Sequence, residues 1–141
     1  VASVTIGNHD ERIHRLAADQ GIPAMYLKEY AELYDTPKWT WEHSFLYDNV
    51  FYYHGTGINN QYPSFNASKA RGVSVVSGHT HSVASINWME GPTQRIFGMN
   101  VGCGVDINHK GMDYGSAFLK KPIISAGVVI EGHPYLELMR P

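Results

Sequence analysis

Apolar residues recur along this chain at two spacings, and the switches between them mark out its elements. Ala2 to Ile6 ends in the β-branched run Val4-Thr5-Ile6 and stops at Gly7, which predicts a buried strand. From Glu11 to Asp19 the spacing lengthens: Ile13, Leu16 and Ala17 stand at i, i+3 and i+4, the signature of a helix. Asp10 is placed to cap it, since its carboxylate can accept the first free backbone amides. Gly21-Ile22-Pro23 breaks that pattern, and Ala24 to Tyr34 reads as a further helix ended by Asp35-Thr36-Pro37.

Strand-forming residues then take over. Trp39 to Tyr53 holds two runs split by Asp48-Asn49, a hairpin turn pair. Residues 55–64 are rich in Gly, Asn, Tyr and Pro and read as a loop. A short helix over Phe65 to Ala70 leads to the strand Val73 to Val76. Ser82 to Met89 and Arg95 to Asn100 form a second hairpin about residues 90–93, and a glycine-rich, irregular stretch covers Gly98 to Gly115. Ile123 to Ile130 and Tyr135 to Met139 close the chain as two strands around Gly132. No repeat, low-complexity tract or linker divides it, so residues 1–141 read as one domain.

Composition narrows the classes. Hydrophobic residues make up 43% of the 141 and charged residues 17%, a balance suited to a packed core rather than disorder. The net charge of -2 gives no global field toward nucleic acid. A lone cysteine, Cys103, excludes an internal disulfide framework and suits a reducing, cytoplasmic setting. No apolar run reaches membrane-spanning length. Val1 to Ile6 reads as a strand already under way, the expected look of a processed, truncated or separately encoded piece of a longer protein.

Three histidine phrases carry the chemistry: Gly7-Asn8-His9-Asp10, His54-Gly55 and Gly78-His79-Thr80-His81. Each follows a β-branched or aromatic run, so each belongs at a strand end, on one rim of a sheet. Imidazole nitrogen and amide oxygen suit divalent transition metals.

In order and context these phrases resemble the third, fourth and fifth signatures of the calcineurin-like metallophosphoesterase superfamily, over residues 1 to 82. Asn100 to Asp106 is similar to a loop that follows the last histidine motif in phage and bacterial members. The resemblance implies an α/β fold, a four-layer αββα sandwich, here lacking its N-terminal β-α-β-α segment. It implies phosphomonoester or phosphodiester hydrolysis at a binuclear centre by a metal-activated hydroxide. Asn8, His54 and His79 would bind one divalent ion and His81 the other, the ions being manganese, iron, zinc or nickel. His9 would protonate the leaving oxygen, and Asp10 would hydrogen-bond His9 and set its tautomer.

The family's Asp-x-His and Gly-Asp-x-x-Asp phrases precede its Asn-His-Asp motif, and neither is present here. Asp106 and Asp113 come too late to replace them. Four neutral ligands leave two dications uncompensated, so the bridging carboxylate is expected from an N-terminal fragment or second chain. The alternative is a non-catalytic metal-binding or assembly module derived from such an enzyme.

Other residues carry plainer readings. His14, His43, His109 and His133 stand outside the motifs. Arg12 and Arg15 are placed to contact a phosphate or simply to lie on an exposed helix face. Cys103 reads as a small buried side chain, Lys120-Lys121 as a solvated pair, and the aromatics as core and hairpin residues rather than a base-stacking platform.

Overall fold

Strand-formers dominate the fold, as the β-branched and aromatic runs predict. The architecture is that of a computed structural model, which describes residues 1–58, 60–105 and 120–139. Asp106, His109, Asp113 and most of the glycine-rich stretch lie outside the described residues.

Strand β1 (Ser3–Thr5) runs into helix α1 (Arg12–Asp19). A 3-10 turn (Ala24–Tyr26) and the single-turn helix α2 (Tyr30–Leu33) follow. Next come β2 (Thr40–Glu42), β3 (Ser44–Tyr47) and β4 (Val50–Tyr53), then helix α3 (Pro63–Arg71) and β5 (Ser74–Ser77). The hairpins β6 (Ala84–Glu90) with β7 (Arg95–Val101) and β8 (Ser125–Ile130) with β9 (His133–Leu138) complete the described chain. The class is mixed α/β, mostly strand, with open sheets.

Five strands form the main sheet in the order β3-β4-β5-β7-β6. The three central strands run parallel, while β3 and β6 join antiparallel at the edges. Pleating sorts their side chains. The Ser77 hydroxyl meets that of Ser64 in α3 at 2.7 Å, so Val75 and Ser77 face the helix. On that face Gly98 lets α3 approach, since a Cβ there would stand 2.3 Å from the Phe65 backbone. Val76 faces the other way, into a core of Val50, Phe97 and Met99 that Val129 and Leu136 of the β8–β9 hairpin cover. Each large apolar side chain buried there stabilises the fold by about 1.5–3 kcal/mol.

The turn Asp48-Asn49 has φ of 50° and 60°, the left-handed pair that a two-residue hairpin loop needs. Three expectations change. Ala24 to Tyr34 is not one helix: Leu27 and Glu29 are extended, with ψ of 146° and 151°. Met25 and Tyr26 are exposed there, and short helices need a buried face to persist. Trp41 does not join the β3–β4 hairpin but lies in β2, paired in parallel with β1. Asp10 does not cap α1: Glu11 holds the cap position without a side-chain bond, and Asp10 turns back to the Gly7 amide.

Candidate functional site

Parallel pairing of β4 with β5 in the register Tyr53↔Ser77 sends both strands out of the sheet side by side. His54 and Gly78 therefore leave together, with the Gly78 N–H bonded to the His54 carbonyl at 3.1 Å. The turn after β1 reaches the same place, and the three histidine phrases meet at the C-terminal ends of their strands.

Their side chains converge. His54 Nε2 lies 2.8 Å from Asn8 Oδ1 and 3.1 Å from His79 Nδ1. Two imidazoles and an amide oxygen thus point lone-pair positions at one small volume, with room for a single proton among them. Metal–ligand bonds of about 2.0–2.2 Å set at right angles separate their donor atoms by about 2.8–3.1 Å. The separations of His54 Nε2 from Asn8 Oδ1 and from His79 Nδ1 fall in that range, so these are the residues that could hold such an ion. Among the described residues no group of three or more His, Cys, Asp or Glu could hold a metal, so the cluster depends on its asparagine and contains no carboxylate.

His79 is held at φ 62° at the centre of a tight turn, in which the Thr80 N–H reaches the Gly78 carbonyl at 2.6 Å. A β-substituted residue in the left-handed region costs about 1–2 kcal/mol, and such strain concentrates at functional sites. A fully buried amide supports this loop from below: Asn100 Nδ2 donates to the Gly78 carbonyl at 3.1 Å, and its Oδ1 accepts the Gly102 N–H at 3.2 Å. Asn100 belongs to none of the three histidine phrases. Its signal was a lone polar residue within the apolar run Ile96 to Val101.

Burial lowers the pKa of His54, and the neighbouring His79 lowers it further. Burial likewise lowers His79, with His9 second, and lowers His81, with His79 and His9 after it. The shift favours the neutral form of all three rings, the form that ligates metal. His81 shares this field, but among the described residues its ring makes no hydrogen bond to the trio. Its carbonyl accepts the Ile123 N–H at 2.8 Å, tying the loop to the approach to β8.

His9 is exposed beside the cluster. Among the described residues it makes no hydrogen bond with Asp10, contrary to the expected pair. Asp10 Oδ2 accepts the Gly7 N–H at 2.9 Å and Oδ1 accepts the Tyr34 hydroxyl at 3.2 Å. Both oxygens serve the turn instead of the imidazole. Arg15 donates to the Asn8 carbonyl at 2.9 Å and fastens the same turn. The His14 ring lies tilted against Tyr30, His43 faces Glu11 at 3.5 Å and His133 lies near the Trp88 ring. Cys103 is buried, as expected of a small apolar side chain.

Beside His54, between β1 and the main sheet, lies a cavity of about 440 Å³ over Phe45, Tyr47, Tyr52 and Val76. Among the described residues its lining carries no Asp, Glu, Lys or Arg. Against known proteins, the chain matches no family model, no curated protein and no solved structure. No helix of the described residues is long and apolar enough to cross a membrane.

Proposed function

We propose that this chain forms part of a metal-dependent phosphoester hydrolase acting on phosphomonoesters or phosphodiesters. The observation that carries the reading is the convergence of Asn8 Oδ1, His54 Nε2 and His79 Nδ1 within 2.8–3.1 Å contacts. These residues would hold one divalent transition-metal ion, and His81 would serve a second. Bound there, the ions would offset charge on the phosphoryl oxygens and lower the proton affinity of the attacking water. His9 is exposed on the same turn as Asn8 and would hand a proton to the leaving oxygen. Asp10 would act by fixing the turn, given where its oxygens point.

The four-layer αββα sandwich belongs to the same proposal. Its support is that α3 covers one face of the main sheet while the β8–β9 hairpin and β1 cover the other, with Ser3 Oγ 2.9 Å from Tyr47 Oη.

The donor set is neutral, so two cations call for carboxylates from a further segment or a second chain. Two features support such a partner. Thr40 N–H bonds to the Ala2 carbonyl and Ile6 N–H to the Glu42 carbonyl, which aims the peptide groups of Ser3 and Thr5 away from β2, toward an open edge. The cavity beside His54, lined by Ser3 and Thr5 of β1, adjoins that edge. Among the described residues the cluster holds no carboxylate, which also favours a second reading, a non-catalytic metal-binding or assembly module.

Metal content and hydrolysis of an aryl phosphomonoester and phosphodiester with added manganese test both. Hydrolysis by the gene product that is lost in His79→Ala supports the enzyme. Metal binding without hydrolysis supports the module, and failure to bind metal sinks both readings.

A further inference from the structure

We propose that Tyr34 is a positioning residue for the donor cluster, acting through Asp10 on the Gly7-Asn8 turn. The inference rests on reading that cluster as a cation site. Tyr34 donates its hydroxyl to Asp10 Oδ1 at 3.2 Å, and Asp10 Oδ2 accepts the Gly7 N–H at 2.9 Å. Gly7 backs directly onto the ligand ring: a Cβ on it would stand 2.7 Å from His54 Nδ1 and 2.8 Å from Cε1. The next residue supplies Asn8 Oδ1 to His54 Nε2 at 2.8 Å. A shift of the Gly7 amide therefore moves both the wall behind His54 and the ligand in front of it.

The tyrosine is itself held in place. Its ring stacks on Trp41 at 4.9 Å with 14° between planes, and the Trp41 indole N–H donates to Thr36 Oγ1 at 3.0 Å. Trp41 sits in β2 opposite Val4 of β1, the strand that delivers Gly7. The circuit from β1 through Gly7, Asp10, Tyr34 and Trp41 back to β1 is closed. Asp10 makes no cap to α1, so its carboxylate has this duty rather than the helix's.

Tyr34→Phe keeps the ring and its stack and removes only the hydroxyl. The test compares the 141-residue chain with Tyr34→Phe, Asp10→Ala and the double variant. Each is titrated with cobalt(II) alone by calorimetry and visible absorption, with its thermal midpoint recorded. In the metal-free proteins the His54 imidazole nitrogens are followed by NMR. Tyr34→Phe should weaken cobalt binding about fivefold, the scale of one net hydrogen bond. In the Asp10→Ala background it should add nothing, since both changes cut one link. Unchanged affinity, or losses that add in the double variant, overturn the proposal. If the parent chain takes up no cobalt, the cation reading fails and the imidazole resonances decide. Resonances that move alike in Tyr34→Phe and Asp10→Ala support positioning, and unmoved ones refute it.

Discussion

His54 Nε2 and His79 Nδ1 lie 3.1 Å apart with their rings at 68°, close enough that only one of the two nitrogens can carry a proton between them. The second ring must present its lone pair, as Asn8 Oδ1 does at 2.8 Å.

His79→Gly should separate strain from ligation. Relief of the left-handed backbone gives back about 1–2 kcal/mol, offset by about 0.5–1 kcal/mol of glycine's chain entropy. The variant should be as stable as the parent or more so in urea titrations, yet lose divalent-metal binding. His9→Ala, outside the donor set, should keep its metal. Equal metal content in the two variants would contradict the assigned roles.

Acid should destabilise the metal-free protein through its imidazoles. His54, His79 and His81 have folded pKa values below the ordinary 6.5, chiefly because burial disfavours their charged forms. The unfolded chain then binds protons first as pH falls, so their contribution is complete above about 6.5 and is lost on descending through the lowered folded values. Urea midpoints measured on chelator-treated protein should fall between about pH 7.5 and 5.5. A midpoint that rises over this range would show the sign to be wrong.

Gly7→Ala should displace His54. A methyl 2.7 Å from Nδ1 forces the ring or the turn to move, and overpacking of this kind costs about 1–3 kcal/mol. The variant should melt lower and bind metal more weakly, with a shifted His54 imidazole resonance. An unchanged resonance would mean that the two residues do not touch.

Asn100→Ala should loosen the third histidine phrase from beneath. It strips partners from the Gly78 carbonyl and the Gly102 N–H at a fully buried position, a loss of about 1–3 kcal/mol. Faster amide hydrogen exchange is expected over residues 78–81. Exchange unaltered there, with a lower melting point, would limit Asn100 to a general role in the core.

Local chemistry made much of this legible. Asp48-Asn49 announced its hairpin because few residue pairs accept two left-handed positions. Ile13, Leu16 and Ala17 marked α1 through their spacing, although only Ala17 is buried. The β-branched runs before Gly7, His54 and Gly78 placed all three phrases at strand ends, and the fold brings Asn8, His54 and His79 together there. The break at residues 27–29 was illegible, because it depends on whether a core faces Met25 and Tyr26. So was the parallel pairing of β1 with β2, which joins segments 37 residues apart in register.

Residue types and their spacing were enough to place the three histidine phrases at strand ends, since turn preferences and side-chain periodicity act within a few residues. Orientation at the site was decided only by the folded chain. Asp10 faces Gly7 and Tyr34 instead of His9, and Asn100 holds the His79 loop, through hydrogen bonds whose partners lie as far as 24 residues away. A carboxylate or amide takes whichever donor or acceptor packing brings within about 3 Å, and that choice is made by the tertiary structure.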